Sequence, residues 1–279
     1  MGTSGATLLA GYLAAVVCIP IAAIFGHGFG LSFDTHGAGL ELWRWSLHSD
    51  FAGFTSGLSV PGAWSAIRLS IVVSGIVAAI NSVMGMAIAW VLTHDHFRGK
   101  ALISSMIDLP FALPTIVAGV TFIYLYGADS PVKLDLTGKV LGLGVALTFV
   151  TLPFCVRAVQ PVLEAMDLDA QDAARTLGAS KLRTFWSIVV PSILPAVASA
   201  YALAFARALG EYGSISLIAL VGTASTTTAS IFLFTQSTNF AFDGFTSAAA
   251  VAIVLLGVCF VVFSVAGTVG WWINKRLRP

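Results

Sequence analysis

Asp169-Ala170-Gln171-Asp172-Ala173-Ala174-Arg175-Thr176-Leu177-Gly178-Ala179-Ser180, with Ile188-Val189-Val190-Pro191 a short way on, is the stretch that decides how this chain reads. Ala170, Ala173, Ala174 and Leu177 fall at the i, i+3, i+4 and i+7 positions of one helical stripe, while Asp169, Asp172 and Arg175 lie off it and stay solvated. Gly178 follows where a helix ends most easily in a left-handed residue, and Ser180 is placed to cap a second short helix. The expected unit is a helix, a sharp turn and a second helix. A face of three alanines buries little area, so its use is close backbone approach to another surface, such as a partner protein. An interfacial membrane helix would put Trp, Phe or Leu there instead.

Working outward, the flanks are too apolar for a soluble protein. The chain has 279 residues, of which 57% are hydrophobic and 10% charged, and its mean hydropathy is +0.92. That is more apolar surface than one core of this size hides, so a multi-pass membrane protein is expected. A bilayer core needs about 20 apolar residues per crossing. Runs near that length occupy residues 6–25, 67–92, 101–126, 140–163, 188–220 and 248–273. The expectation is an all-α transmembrane chain with six spans, divided into a first helix and outer loop (1–66), a core (67–273) holding the polar loop 164–187, and a basic tail (274–279). Met1 to Thr7 lacks Lys and Arg and the first run is long for a cleaved leader, so the first helix is expected to be retained.

Lys and Arg concentrate at Arg98 and Lys100, at Arg157, Arg175, Lys181 and Arg183, and at Lys275, Arg276 and Arg278. With six spans these segments share one side, which places both termini in the cytoplasm. The opposite connection, 26–64, carries Trp43, Trp45 and Trp64, rings suited to the headgroup layer. A plain spacer for the added first helix fits it equally well.

Charged groups inside spans cost about 2.5–3.5 kcal/mol each on insertion scales and mark function by default. Asp108, Arg207 and Glu211 are the candidates, Arg207 being the only basic residue read as deep within a span. Arg207 and Glu211, four apart, can pair. Pro110 with Pro114, and Pro191 with Pro195, should kink or break their helices, and the long fifth run should break near Gly210 and Gly213. Asp108, Pro110, Pro114, Arg207, Gly210 and Glu211 are assigned to a translocation path or gate. A structural ion pair and static kinks are the plainer alternatives.

Other chemistries find no support. Cys18, Cys155 and Cys259 sit in apolar runs, without metal-ligand spacing. His27, His36, His48, His94 and His96 lie in or beside loops, and His94-Asp95-His96 reads as a solvated turn. No phosphate-binding loop occurs, because Gly99-Lys100 precedes Ala101 and Gly138-Lys139 precedes Val140. The net charge of +1 offers no face for nucleic acid.

At Asp172-Ala173-Ala174, Gly178 and Ile188-Val189-Val190-Pro191 the chain resembles the cytoplasmic signature of ABC-importer permeases, with Asp in place of Glu and Val190 in place of Leu. Asp108 to Thr115, Pro153-Phe154 with Arg157 to Leu163, and Phe205 to Gly213 are similar to the sulfate/thiosulfate permease group, in particular its T-type membrane subunit. Val221 to Ser230 departs from that subunit. The resemblance implies a type I importer permease fold, an added helix on a five-helix core, in a bacterial inner membrane. It implies that Ala170, Asp172, Ala173, Ala174, Leu177, Gly178, Ile188 and Pro191 couple to a separate ATPase subunit that holds ATP and Mg, this chain carrying no cofactor or catalytic residue. Its other implied partners are a second homologous permease, an extracytoplasmic sulfate-binding protein and membrane lipid. Cargo delivered by a binding protein needs only weak contacts in the permease, from Arg207, hydroxyls and helix N-termini. A molybdate or tungstate permease is the nearest alternative. A secondary transporter, a channel and a membrane-embedded enzyme are more distant ones.

Overall fold

In the computed structural model the described residues are 11–12, 14–28, 51–128, 130–131, 133–166, 169–220, 226–238 and 242–277. The outer-loop readings at His36, Trp43, Trp45 and His48, the leader reading at Met1 to Thr7 and the first half of the departure at Val221 to Ser230 lie outside them. The regular elements are helical throughout. A π-helical turn at Ala14–Cys18 leads into α1 (Ile19–Gly28), followed by α2 (Phe51–Leu58), α3 (Ala63–His94), α4 (Lys100–Ala112), α5 (Thr115–Tyr126), α6 (Val140–Glu164), α7 (Asp169–Thr176) and α8 (Lys181–Thr184). A second π-helical turn, Phe185–Val189, leads into α9 (Val190–Leu209), then α10 (Gly213–Leu220), α11 (Ala229–Ser237) and α12 (Phe242–Leu277).

Among the described residues, four stretches are long and apolar enough to cross a bilayer: Ala63–His94, Val140–Glu164, Lys181–Leu209 and Thr246–Arg276. α4 and α5 make a fifth crossing only as a broken pair, bent by 109°. A shorter apolar helix, Ala15–Phe25, occupies the place of the first expected span. Five of the six expected runs thus appear as crossings or as a broken one. The sixth is the short helix.

The prolines act unequally. Pro114 stands at the break after α4, with Leu113 extended at φ −82, ψ 128, as the residue before a proline prefers. Pro191 and Pro195 break nothing, contrary to expectation. The helical stretch runs unbroken from Lys181 through Pro191 and Pro195 to Leu209, and the amide donor missing at Pro191 is absorbed by a local change of helix type. The irregularity is displaced into the π-helical turn just before.

Contacts divide the chain into two units, residues 1–68 with 228–257 and residues 69–227 with 258–279. In the first, a methyl at Gly57 would fall 3.0 Å from the Ala250 Cβ, so α2 and α12 approach at backbone distance. Leu58, Ala63, Ala66, Phe232 and Val251 are buried there.

The second unit is built around α6. A methyl at Gly85 of α3 would fall 2.6 Å from the Cys155 Cβ, and the thiol of Cys155 reaches the Ala200 carbonyl of α9 at 3.7 Å. Asn81, fully buried, donates from Nδ2 to the Thr151 hydroxyl at 2.7 Å and to the Thr148 carbonyl at 3.0 Å. Between apolar helices in lipid, small residues that allow such approach replace the hydrophobic effect as the source of cohesion. A Gly85→Ala exchange is expected to cost about 1–3 kcal/mol through overpacking against backbone. Equilibrium unfolding in mixed micelles would check it, and an unchanged midpoint would contradict the packing account.

Candidate functional site

The polar elbow forms as its residues dictate. α7 ends in a paired-bond cap, with Ala179 N–H donating to the Ala174 carbonyl at 3.0 Å and Gly178 N–H to the Arg175 carbonyl at 2.9 Å. Gly178 takes φ +84, a left-handed conformation open to glycine, and nothing lies within 4 Å of where its Cβ would be. The turn therefore needs glycine for its backbone and not for space. The Ser180 hydroxyl accepts from Arg183 N–H at 3.3 Å and caps α8, as the sequence suggested.

The outward face of this elbow is apolar and unfilled. Leu177 is 89% exposed, Ala173 is exposed and Ala174 half-buried, whereas Gln171 on the opposite side is buried and reaches the Met166 sulfur at 3.4 Å. Leu177 and Ala173 thus form an exposed apolar strip on the elbow, flanked by the exposed Asp172 and Arg175. Asp172 pairs with Arg175 at 3.3 Å, a solvated pair of little energetic weight. The Ala170 side chain lies outside the described residues. Ile188 is in the π-helical turn and Pro191 in the first turn of α9, at the root of the elbow. Phe185 anchors that root edge-on against Trp90 of α3, with ring centroids 5.0 Å apart. Trp90 also stacks on His94 at 3.7 Å, so His94 is engaged in packing. Among the described residues no group of three His, Cys, Asp or Glu side chains is arranged to hold a metal.

The second feature is a crossing of two broken helices. The break between α9 and α10 (Gly210 to Gly213) lies against the break between α4 and α5. A methyl at Gly213 would collide with the Thr115 hydroxyl, and one at Gly119 would fall 2.8 Å from the Ser214 carbonyl. Gly213, rather than Gly210, is the residue whose bare backbone the crossing requires, since a methyl at Gly210 would meet only its own helix at 3.5 Å. Glu211 closes the break. Its carboxylate accepts from Ser214 N–H at 3.0 Å and the Ser214 hydroxyl at 3.1 Å, and pairs with Arg207 as expected. Glu211 is 2% exposed and Arg207 32%. The carboxylate satisfies the first turn of α10 while the guanidinium offsets its charge.

Asp108 is not part of that cluster. It sits on α4 below Pro110 and receives Arg157 of α6 as a two-pronged pair, Nε to Oδ1 at 2.7 Å and Nη2 to Oδ2 at 2.5 Å. Arg157 also donates to the Ser104 carbonyl at 3.1 Å and to Gln160 at 2.6 Å, and Gln160 in turn to Glu164 at 2.7 Å. This corrects the reading of Arg157 as a loop charge and of Arg207 as the only basic residue within a span. Seven residues before the end of α6, Arg157 is a clamp tying α4, the first half of the broken pair, to the central helix. The signal that would have exposed it was its position inside a run containing no other basic residue.

Residues 81–270 match the family described as binding-protein-dependent transport system inner membrane component. The chain belongs to that family. The match takes in the elbow, the clamp and the crossing of this permease. It is 36% identical over 215 residues to the sulfate transport system permease protein CysT of Synechocystis sp., covering 75% of this chain and 69% of that protein. To the CysT of Salmonella typhimurium it is 35% identical over 212 residues, covering 74% and 76%. Its fold is shared with a chain of a bacterial ABC transporter for alginate import, TM-score 0.72 at 13% identity over 98% of this chain and 95% of the other. It is shared also with a chain of the MetNI methionine ABC transporter, TM-score 0.58 at 18% identity over 77% and 96%. The permease is thus an all-helical, multi-pass membrane component of an importer family with the type I fold.

Two exchanges separate the two ion pairs. Glu211→Ala leaves Arg207 and the Ser214 N–H without an acceptor and is expected to cost about 3 kcal/mol. Glu211→Gln should cost less, since its amide oxygen still accepts from Ser214. The Asp108–Arg157 pair, 42% and 31% exposed at its side chains, should show a coupling of about 1 kcal/mol in a double-mutant cycle read by micellar unfolding.

Proposed function

We propose that this permease is the T-type membrane subunit of an ATP-driven importer for sulfate and thiosulfate. The observation that carries the proposal is the elbow from Asp169 to Val189. It offers an exposed Leu177 and alanine face at a fixed turn, and its second arm continues without a break into a membrane span. A separate ATPase subunit, which binds the ATP and Mg, docks on Ala170, Ala173, Ala174 and Leu177. The named substrate follows the sulfate permeases to which the chain is similar.

In this reading a second, homologous permease completes the passage, and an extracytoplasmic sulfate-binding protein delivers the anion. Both termini, the elbow and the basic tail 274–279 face the cytoplasm, in accordance with the positive charge on that side. The chain itself hydrolyses nothing. The passage runs beside the crossing of the two breaks. Arg207, a third exposed while held by Glu211, meets the anion there through its remaining N–H groups. Its charge is half spent on Glu211, so the contact is weak, which suits a passage that must release what it receives. Pro110, Pro114 and Gly210 belong to the same gate by virtue of the breaks they flank.

The test is ATP-dependent uptake of radiolabelled sulfate into proteoliposomes holding the full set of subunits. Leu177→Asp should lower uptake by an order of magnitude or more, the scale of burying an unpaired carboxylate in a docking face, with ATP hydrolysis persisting. Gly178→Asp should do the same in milder form. Normal uptake in Leu177→Asp would overturn the coupling assignment, and uptake of molybdate but not sulfate would overturn the substrate.

A further inference from the structure

We propose that the carboxyl-terminal end of α12 carries a binding site for the phosphate of an anionic glycerophospholipid, formed by Trp271, Trp272, Lys275 and Arg276. The four residues make two pairs at i, i+4. The Lys275 ammonium lies 5.2 Å from the centre of the Trp271 ring, and the Arg276 guanidinium carbon lies 3.5 Å from that of Trp272. Helical side chains lean back toward the preceding turn, so both cations fold onto rings already fixed in place. Among the described residues, neither cation is in an ion pair with a carboxylate.

The geometry selects a phosphate. A guanidinium carbon this close to a ring centre engages its π face, which leaves the in-plane N–H groups available to receive two oxygens of one anion. Lys275 adds a second charge one residue away. Both pairs point off the protein. α12 meets α9 through Gly270, where a methyl would fall 3.6 Å from the Pro195 Cβ, and Ala266 one turn earlier is buried. Trp271 and Trp272, about 100° and 200° around the helix from Gly270, are 65% and 49% exposed.

Depth and shape then select a lipid as the source. The span Thr246–Arg276 has 31 residues. At 1.5 Å per residue that is about 46 Å, the thickness of a bilayer with its headgroup layers, so its last turn stands among headgroups. Along the Trp271 stripe, Phe263 is exposed and Gly267 has nothing within 4 Å of its Cβ position. Gly267 thus leaves a notch between two rings in which an acyl chain can lie, directly above the cationic turn.

The full chain, reconstituted in phosphatidylcholine vesicles containing a minor fraction of phosphatidylglycerol, supplies the test. Bromine is placed on the acyl chains of one lipid or the other, and tryptophan emission is read. Brominated phosphatidylglycerol should quench more per molecule than brominated phosphatidylcholine. Lys275→Gln with Arg276→Gln keeps every tryptophan, and should lower that preference on the order of fivefold for each cation lost, with helix content by circular dichroism unchanged. Equal quenching by both lipids would reduce the site to a general aromatic belt and overturn the proposal. So would a preference that survives the double exchange, rings quenched by neither lipid and hence covered by protein, or loss of the preference on adding inorganic phosphate, which would mark a free-anion site.

Discussion

No backbone N–H or carbonyl can be left unpaired in hydrocarbon, and this chain breaks one crossing between α4 and α5 and ends another at Leu209, short of α10. The rest of the second unit follows from how those breaks are covered. They are laid against each other. Gly213 admits Thr115, Gly119 admits Ser214, and the Glu211 carboxylate takes up the N–H of Ser214 at the start of α10. A membrane helix interrupted at Pro114 would be costly facing lipid. Facing a second interruption with a carboxylate at its centre, it is satisfied by protein.

Charge obeys the same constraint. Glu211 is the most deeply buried charged side chain among those described, and it is tolerated because Arg207 is one turn away. Arg157 and Asp108 cancel in the same fashion near the end of α6. Each pair therefore contributes little net charge. The two differ in exposure: the Glu211 carboxylate is sealed, whereas Asp108 and Arg157 keep contact with their surroundings. The first is built as a fixture, the second as a tie that water can reach and loosen.

Much of this was legible in the residues. The elbow was, because Gly178 and Ser180 act locally and their signals survive any tertiary context. So was the Arg207–Glu211 pair, a consequence of helical spacing alone. The outcome at Pro191 was less so, because a helix can absorb a missing N–H by local widening, here the π-helical turn Phe185–Val189, and no spacing in the sequence announces that. The Asp108–Arg157 clamp joins residues 49 apart on different helices. No periodicity reports such a pairing, although a lone arginine inside an apolar run was a reason to seek a carboxylate for it. Gly213 was visible as a break but not as a contact, since its partner Thr115 is distant in sequence.

Continuity of one element joins these parts into a device. From Lys181 to Leu209 the chain is one span of 29 residues, about 43 Å at helical rise. One end of it is the second arm of the elbow, and the other is the break sealed by Glu211. Displacement of the elbow thus tilts or shifts a single rod whose far end sits in the crossing. The rod is held near its root by Phe185 against Trp90, and along its length by Cys155 against Ala200, both contacts made on helices that cross unbroken. The broken pair is held to the same central helix by ring contacts, Phe111 against Phe154 at 4.8 Å and Phe122 against Phe149 at 5.6 Å, and by the clamp at Arg157. α6 therefore supports both the rod and the broken pair, with the clamp at Arg157 and the packing at Cys155 less than one turn apart on it.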